Sequence, residues 1–293
     1  MLKLIAASCN RVPRRRRSPR RNPLVWTEIA AERPARLLLL GDNVYFPGAA
    51  VRRAKRAYAR LRDVPTLVEA RKKLEVRAIW DDHDFGFNNA RGANYSEAYK
   101  RDVRRLFNAE WNPRRDRGAP IHFFEDVGPV RIVMLDVRTW RTNPGQGEDA
   151  HVLGQSQLDW LRGALQHSGQ YTLVCSGSTI SDNRRLGDGK PRRESLCAYK
   201  HELAELVKAT ETAPHPIFVS GDVHFNKLYP AGAPRLGGPV PFPEIITSGV
   251  VRKLRGAPDE NLGNYAVLTF SDSAAQVELR SNDPRQRTGP TQV

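Results

Sequence analysis

An α/β fold with a mixed sheet system is what this sequence predicts, on three observations. Short apolar runs alternate with amphipathic segments along most of the chain, the order expected of strands and helices in turn. Polar clusters rich in carboxylates follow directly on several of the apolar runs. Two stretches, one in the middle and one at the end, pair with their own neighbours like antiparallel ribbons.

Taken in order, Leu4 to Ala7 reads as a buried strand and Leu24 to Glu32 as a helix. Leu37 to Leu40 is the next strand, Val51 to Leu61 the next helix, and Val76 to Trp80 a third strand before a helix at Tyr95 to Asn108. His122 to Val127 and Val130 to Asp136 flank Gly128 and Pro129 as a hairpin, with Ile132 to Leu135 its buried part. A helix at Gln155 to Leu165, a strand at Thr172 to Val174, a helix at Tyr199 to Thr210 and strands at Ile217 to Val219 and Glu244 to Ile246 continue the alternation. Residues 230–243 are rich in Pro and Gly and read as a long surface loop. The end, Tyr265 to Ser271 and Ala275 to Ser281, looks antiparallel, which makes the sheet system mixed.

At 293 residues with 40% hydrophobic content the chain suits one domain spanning residues 1–293. No apolar run approaches the roughly 18 to 20 residues of a membrane span. The run Met1 to Ala7 is too short for a secretory core, and its arginines follow rather than precede it, so a cytoplasmic protein is expected, or a periplasmic or secreted one if a leader has been removed. Cys9, Cys175 and Cys197 are too few and too far apart for a disulfide framework. The formal charge of +15, much of it in the loop Arg11 to Arg21, predicts attraction to polyanions: phosphate esters, nucleic acid or anionic lipid headgroups.

Function is written most densely in VRAIWDDHDFGFNN, Val76 to Asn89, where Asp81, Asp82, His83 and Asp84 leave a strand together. Buried carboxylates at that density repel one another unless a cation neutralises them. Three other clusters sit at strand ends: SCN (Ser8 to Asn10), GDNVY (Gly41 to Tyr45) and GDVH (Gly221 to His224). Ligands in open α/β sheets bind outside the carboxyl ends of the strands, so the four clusters are expected to converge. Two ions a few ångströms apart need a bridging carboxylate, for which Asp42 is the best placed. Tyr45 and Cys9 offer a phenolate and a thiolate, anionic donors suited to Fe(III). Singly each is an ordinary packed side chain; their joint placement favours ligation.

These motifs resemble the alkaline phosphatase D (PhoD-like) family of the calcineurin-like metallophosphoesterases. LDVRTWR (Leu135 to Arg141), LGQSQLDWL (Leu153 to Leu161) and EIITSGV (Glu244 to Val250) extend the likeness over most of residues 1–250, and GDNVY is also similar to the tyrosinate motif of purple acid phosphatases. The resemblance implies an αββα sandwich of two mixed β-sheets flanked by helices. It implies Asp42 as bridging ligand, Cys9 and Tyr45 on a ferric ion, and Asp82, or Asp81 in its place, on a second metal. Asp222 and His224 take the places of paired histidines that close such sites, and His83 matches the histidine beside the leaving group. Many relatives supply another histidine after the strand that corresponds to Tyr171 to Ser176, where this chain has Gly177, Ser178 and Thr179. Replacing imidazole by carboxylate shifts the second site towards Ca²⁺, Mg²⁺ or Mn²⁺.

The expected activity is hydrolysis of phosphomonoesters, phosphodiesters or both, by in-line attack of a hydroxide generated between the cations, with Asp42 and His83 as catalytic residues. No serine nucleophile is required, and capping is the expected role of Ser8 and Ser178. Asp84 or Asp81 is expected to polarise His83. Asn88, Asn89, Arg91, Arg138 and Arg141 are candidates for holding the phosphate. The basic loops Arg11 to Arg21 and Arg184 to Arg193 are placed to steer a polyanionic substrate towards the rim. A nuclease or phospholipase-like diesterase is the nearest alternative. A basic nucleic-acid-binding module with a vestigial site is the alternative of another class, and it requires Lys and Arg interleaved with exposed aromatics on one face.

Overall fold

The computed structural model describes residues 1–12, 23–180, 194–252 and 262–293. Most of the first basic loop, including Arg14 to Arg17, and the whole of Arg184 to Arg193 lie outside the described residues.

Two six-stranded mixed sheets pack face to face, with helices on their outer faces, the αββα sandwich. In chain order the elements are β1 (Leu2–Ala7), α1 (Val25–Ala31), β2 (Arg36–Leu40), α2 (Val51–Leu61), α3 (Pro65–Lys73), β3 (Val76–Ile79) and α4 (Asp82–Phe85). Next come α5 (Glu97–Trp111), β4 (Phe123–Val127), β5 (Val130–Met134), α6 (Gly154–Ala164), β6 (Tyr171–Ser176), α7 (Lys200–Thr210) and β7 (Pro216–Ser220). The last are β8 (Lys227–Tyr229), β9 (Glu244–Ile246), β10 (Tyr265–Phe270), β11 (Ala275–Arg280) and β12 (Thr291–Gln292). One sheet runs β12-β11-β10-β1-β2-β3 and the other β4-β5-β6-β7-β9-β8. Within them β1, β2 and β3 are mutually parallel, as are β5, β6, β7 and β9.

The strand period decides which side chain enters which layer. On β5, Ile132 and Met134 point into the core shared with β1, β2 and β3, whereas Val133 and the following Leu135 pack with Leu158, Leu161, Leu203 and Leu206 of α6 and α7. Both faces of these strands are covered, which is why they read as continuous apolar runs.

Two helices escaped the sequence reading. α3 starts on Pro65 and buries only Leu67 and Ala70, too narrow a stripe to show a period. α4 is a single turn inside the acidic motif itself. Residues 230–243 carry no helix or strand, but the segment is anchored rather than simply solvated. Arg235 is fully buried, pairs with Glu244 at 2.9 Å and lies over the Tyr229 ring.

Candidate metal centre

The site is made by backbones that approach unusually closely at the ends of parallel strands. Cys9 N donates to Gly41 O (3.2 Å) and Asn10 N to Asp42 O (2.8 Å), tying the turn after β1 to the turn after β2. Gly249 N and Val250 N donate to Ser8 O (3.1 and 2.9 Å), which brings in the segment after β9. Gly41, with φ +94°, has no room for a side chain, since a Cβ there would stand 2.5 Å from Asp81 Cβ. That contact seats the third turn against the second.

Among the described residues seven non-glycine residues have positive φ, and Cys9, Asp42, Asp222 and His224 are four of them. Such conformations are rare outside glycine and persist only where their surroundings impose them. The strain falls on the side chains that the sequence nominated as ligands.

Their donor atoms meet. Three overlapping groups each bring their atoms within 4.8 Å of one another: Cys9, Asp42 and His224; Asp42, Asp82 and His83; and Asp81, Asp82 and Asp222. Asp42 belongs to the first two and Asp82 to the last two. Asp42 Oδ2 accepts from the Tyr45 hydroxyl at 2.7 Å and from Cys9 Sγ at 3.5 Å. Ser248 Oγ donates to Cys9 Sγ at 3.2 Å and accepts from His224 N at 2.9 Å.

The electrostatics are those of crowded negative charge that outweighs the positive charge nearby. Burial, then the charges of Asp81 and Asp222, push the Asp42 carboxyl above its ordinary range. Burial and Asp42 do the same to Asp82. Burial, with Asp42 next to it, keeps the Cys9 thiol and the Tyr45 phenol protonated well past their usual values. A cation among these groups relieves every one of those penalties.

The other candidates fall in different places. His83 is half-buried, its ring 4.2 Å from that of Tyr45, and burial lowers its basicity. Asp81 acts on His83 through its charge, after that of Asp82, while no hydrogen bond joins the His83 ring to Asp84 or Asp81 among the described residues. Asp84 Oδ2 accepts from the backbone N–H groups of Asn43 and Asp81 (3.1 Å each), and Oδ1 from Val44 N at 3.1 Å. Asp84 therefore staples the second turn to the third. Asp81 is taken by Arg138, whose Nε donates to its Oδ1 at 2.5 Å. Neither serine caps a helix: Ser8 Oγ donates to Thr247 O at 3.0 Å, and Ser178 Oγ accepts from Arg141 Nη2 at 2.9 Å.

Arg138 and Arg141 have no solvent exposure, and both pair with Glu194 Oε2 at 2.7 Å, so they do not present guanidinium forks to solvent. Asn88 is exposed and its Nδ2 donates to Asn89 Oδ1 at 2.9 Å, while Asn89 N donates to Asp82 Oδ2. Arg91 stands 3.7 Å from Glu194. The exposed arginine beside the cluster is Arg11, whose guanidinium lies 5.5 Å from the Tyr45 ring.

Sequence reasoning missed Glu194 and Asp136. Asp136 accepts from Trp80 Nε1 (2.7 Å), Arg138 N and Thr139 N (3.0 Å each) through one oxygen, locking the turn after β5 to the turn after β3. It sits inside LDVRTWR, where its position after an apolar strand was the available signal. Glu194 ends a basic stretch and carries no local signal.

The sequence profile of the family described as PhoD-like phosphatase matches residues 4–287. The chain belongs to the PhoD-like phosphatases. Among solved structures it is similar to PhoD, with a TM-score of 0.77 and 14% identity over 100% of this chain and 68% of that one. A dimetal phosphatase from Danio rerio aligns at TM-score 0.57 and 12% identity, over 100% of this chain and 98% of that one. A purple acid phosphatase from seeds of yellow lupin (Lupinus luteus) aligns at 0.58 and 12%, over 99% of this chain and 53% of that one. These likenesses show the fold. No curated protein matches the sequence. As a PhoD-like phosphatase the chain is a metal-dependent phosphoesterase, and no helix among its described residues is long and apolar enough to cross a membrane.

The residues present fit metal cofactors on their donor chemistry. The group around Cys9 mixes thiol, carboxylate, phenol and imidazole, whereas Asp81, Asp82 and Asp222 offer oxygen alone. Asp81 Oδ2 is buried and accepts no hydrogen bond, an acceptor left for a cation. Gly177, the first residue after β6, has no room for a side chain: a Cβ there would stand 2.9 Å from Asp81 Cγ and Oδ1.

Proposed function

We propose that this PhoD-like phosphatase hydrolyses phosphate esters with two unlike cations, a ferric ion held by Cys9, Asp42, Tyr45 and His224 and a Ca²⁺ (or Mn²⁺ or Mg²⁺) held by Asp42, Asp82, Asp222 and Asp81. The observation that carries this reading is that a mixed-donor group, Cys9, Asp42 and His224, and an oxygen group, Asp81, Asp82 and Asp222, are linked through a third group in which Asp42 and Asp82 meet beside His83. When bound, such a pair lowers the pKa of water and neutralises charge on the reacting phosphoryl group. The chain's own residues supply the rest. Asp84 fixes the two turns that carry Asp42 and Asp82, so both carboxylates are held before substrate arrives. His83, kept neutral by burial, stands over Tyr45, placed to take or give a proton at the ester oxygen. Arg11, reaching over the same ring from the exposed side, anchors the phosphate where Arg138 and Arg141 cannot.

A diesterase acting on a polyanion is the second reading, supported by that geometry. The exposed Arg11 guanidinium beside the cluster can meet a diester phosphate, and the net charge of +15 attracts a polymer of them. The test combines elemental analysis of the purified protein with rates on p-nitrophenyl phosphate and bis-p-nitrophenyl phosphate. Iron plus a hard divalent ion, with a visible tyrosinate band lost in Tyr45→Phe, supports the assignment; full activity of a colourless, iron-free protein overturns the ferric site.

A further inference from the structure

The two sheets each leave an edge strand, β3 in one and β4 in the other, and both edges open into a groove of about 610 Å³. Its walls come from the last turn of α3, the start of β3, the end of α5 with the turn after it, and β4. Six cationic side chains line it, Arg71, Lys72, Lys73, Arg77, Arg114 and Arg115, against the acids Glu75 and Glu125. Glu75 is paired with Arg114 and Glu125 with Arg77 (3.0 Å each), while Arg71 is paired with Glu110 and Lys72 with Glu69 (2.7 Å each), which leaves Lys73 and Arg115 as the lining cations with no ion pair among the described residues. Lys73 is exposed.

Aromatic rings are interleaved with this charge. Arg71 lies over Trp111 at 4.6 Å and Arg115 over Phe123 at 4.2 Å. Phe124 is 43% exposed, with Arg131 over its ring at 4.4 Å. The edge of β3 is closed to another strand, because the Asn112 side chain brackets both the N–H (3.2 Å) and the C=O (3.0 Å) of Ala78. An added β-strand is thus not what the groove receives. The fold thus brings basic side chains and the exposed ring of Phe124 onto one face, the combination that single-strand binding uses, with Trp111 buried beneath Arg71.

We propose that this groove binds single-stranded polynucleotide. Resting on the diesterase reading above, it serves as a second anchor for a polymeric substrate. The groove lies at the amino end of β3 and the metal centre beyond its carboxyl end, a strand of four residues that spans about 13 Å. A polymer is needed to touch both, and a small ester reaches only the metals.

The probe is a fluorescein-labelled oligothymidylate of about 20 nucleotides, longer than the roughly 4–16 that single-strand sites cover. Binding is read by anisotropy in EDTA, so that it does not depend on the metals. Lys73→Gln with Arg114→Gln is expected to weaken binding about tenfold at low salt and to reduce the slope of log K against log salt by about 1.4, at about 0.7 per phosphate contact on a single strand. Phe124→Ala is expected to cost about fivefold, the low end of a base stack. Turnover of bis-p-nitrophenyl phosphate should stay unchanged in all of them. Unchanged affinity and salt slope overturn the groove. So does inorganic polyphosphate competing equally at equal charge with Phe124→Ala silent, which makes the surface a reader of charge alone. Loss of binding in the variants supports the groove even if no diester is cleaved, so the two readings fail separately.

Discussion

Two groups of buried carboxylates lie on either side of Asp81, and the chain treats them oppositely. On one side Asp42 and Asp82 face each other and Asp222, and burial together with like charge pushes their carboxyls up. On the other side Glu194 is just as enclosed, and burial alone would raise it, but Arg138 and Arg141 hold its pKa down to about 2. The second group carries its own counter-charge in direct contact; on Asp42 and Asp82 burial and like charge outweigh the positive charge nearby. Burial of a carboxylate therefore does not by itself mark a metal site, since Glu194 is buried and satisfied by two arginines. What marks it is repulsion among donors that converge, and Asp81 joins the two groups, with Oδ1 on Arg138 and Oδ2 accepting no hydrogen bond.

The largest expected effect breaks the crowded side. Asp42→Asn should lower turnover of bis-p-nitrophenyl phosphate by about a thousandfold, as several kcal/mol of lost charge stabilisation implies. In EDTA the same variant should melt higher than the wild-type protein, because removing one charge relieves the repulsion on Asp82. Added metal should raise the melting temperature of the wild type alone. A lower melting temperature for the variant in EDTA would contradict the contrast with Glu194.

Removing the acid from the compensated side should act the other way. Glu194→Gln takes the shared carboxylate from two buried guanidinium groups, of which Arg138 keeps Asp81, and is expected to destabilise the fold by about 3 kcal/mol, read from the denaturant midpoint. The pH dependence sharpens this. A carboxylate whose folded pKa is depressed contributes stability that is fully present above its unfolded pKa of about 4.3 and is lost as pH falls towards its folded value near 2. The drop of about two units corresponds to about 3 kcal/mol at 1.36 kcal/mol per unit. Acid titration should show that loss in the wild type and not in Glu194→Gln; identical acid limbs would place the charge balance elsewhere.

The crowded side was legible in the sequence and the compensated side was not, for a physical reason. Cys9, Asp42, Asp82, Asp222 and His224 each follow an apolar strand directly, so alternation of strands and helices was enough to bring them together. Arg138 and Arg141 share that placement, yet their role depends on Glu194, which comes from the segment after the second basic loop. Local pattern gives their position and says nothing of the partner that turns them inwards. Arg11 fails in reverse: within a run of arginines it looked like bulk charge, and only the approach of Tyr45 singles it out. The layered fold was legible because β5 and β6 are covered on both faces. α3 was not, its few buried positions lacking a period.

The smallest expected effect tests the residue that joins the two groups. Gly177 has a φ that alanine also adopts, so Gly177→Ala changes space and not backbone. Its new Cβ, 2.9 Å from Asp81 Cγ, must displace a carboxylate that Arg138 grips from one side and Gly41 confines from another. If Oδ2 of Asp81 serves the oxygen-donor cation, the displacement should weaken Ca²⁺ or Mn²⁺ binding by about tenfold, the low end for a disturbed ligand, with the thiolate-bound ion unaffected. Calorimetric titration of the divalent ion beside elemental iron reads the two sites separately. Unchanged divalent affinity would return Asp81 wholly to Arg138, and leave the second cation to Asp42, Asp82 and Asp222.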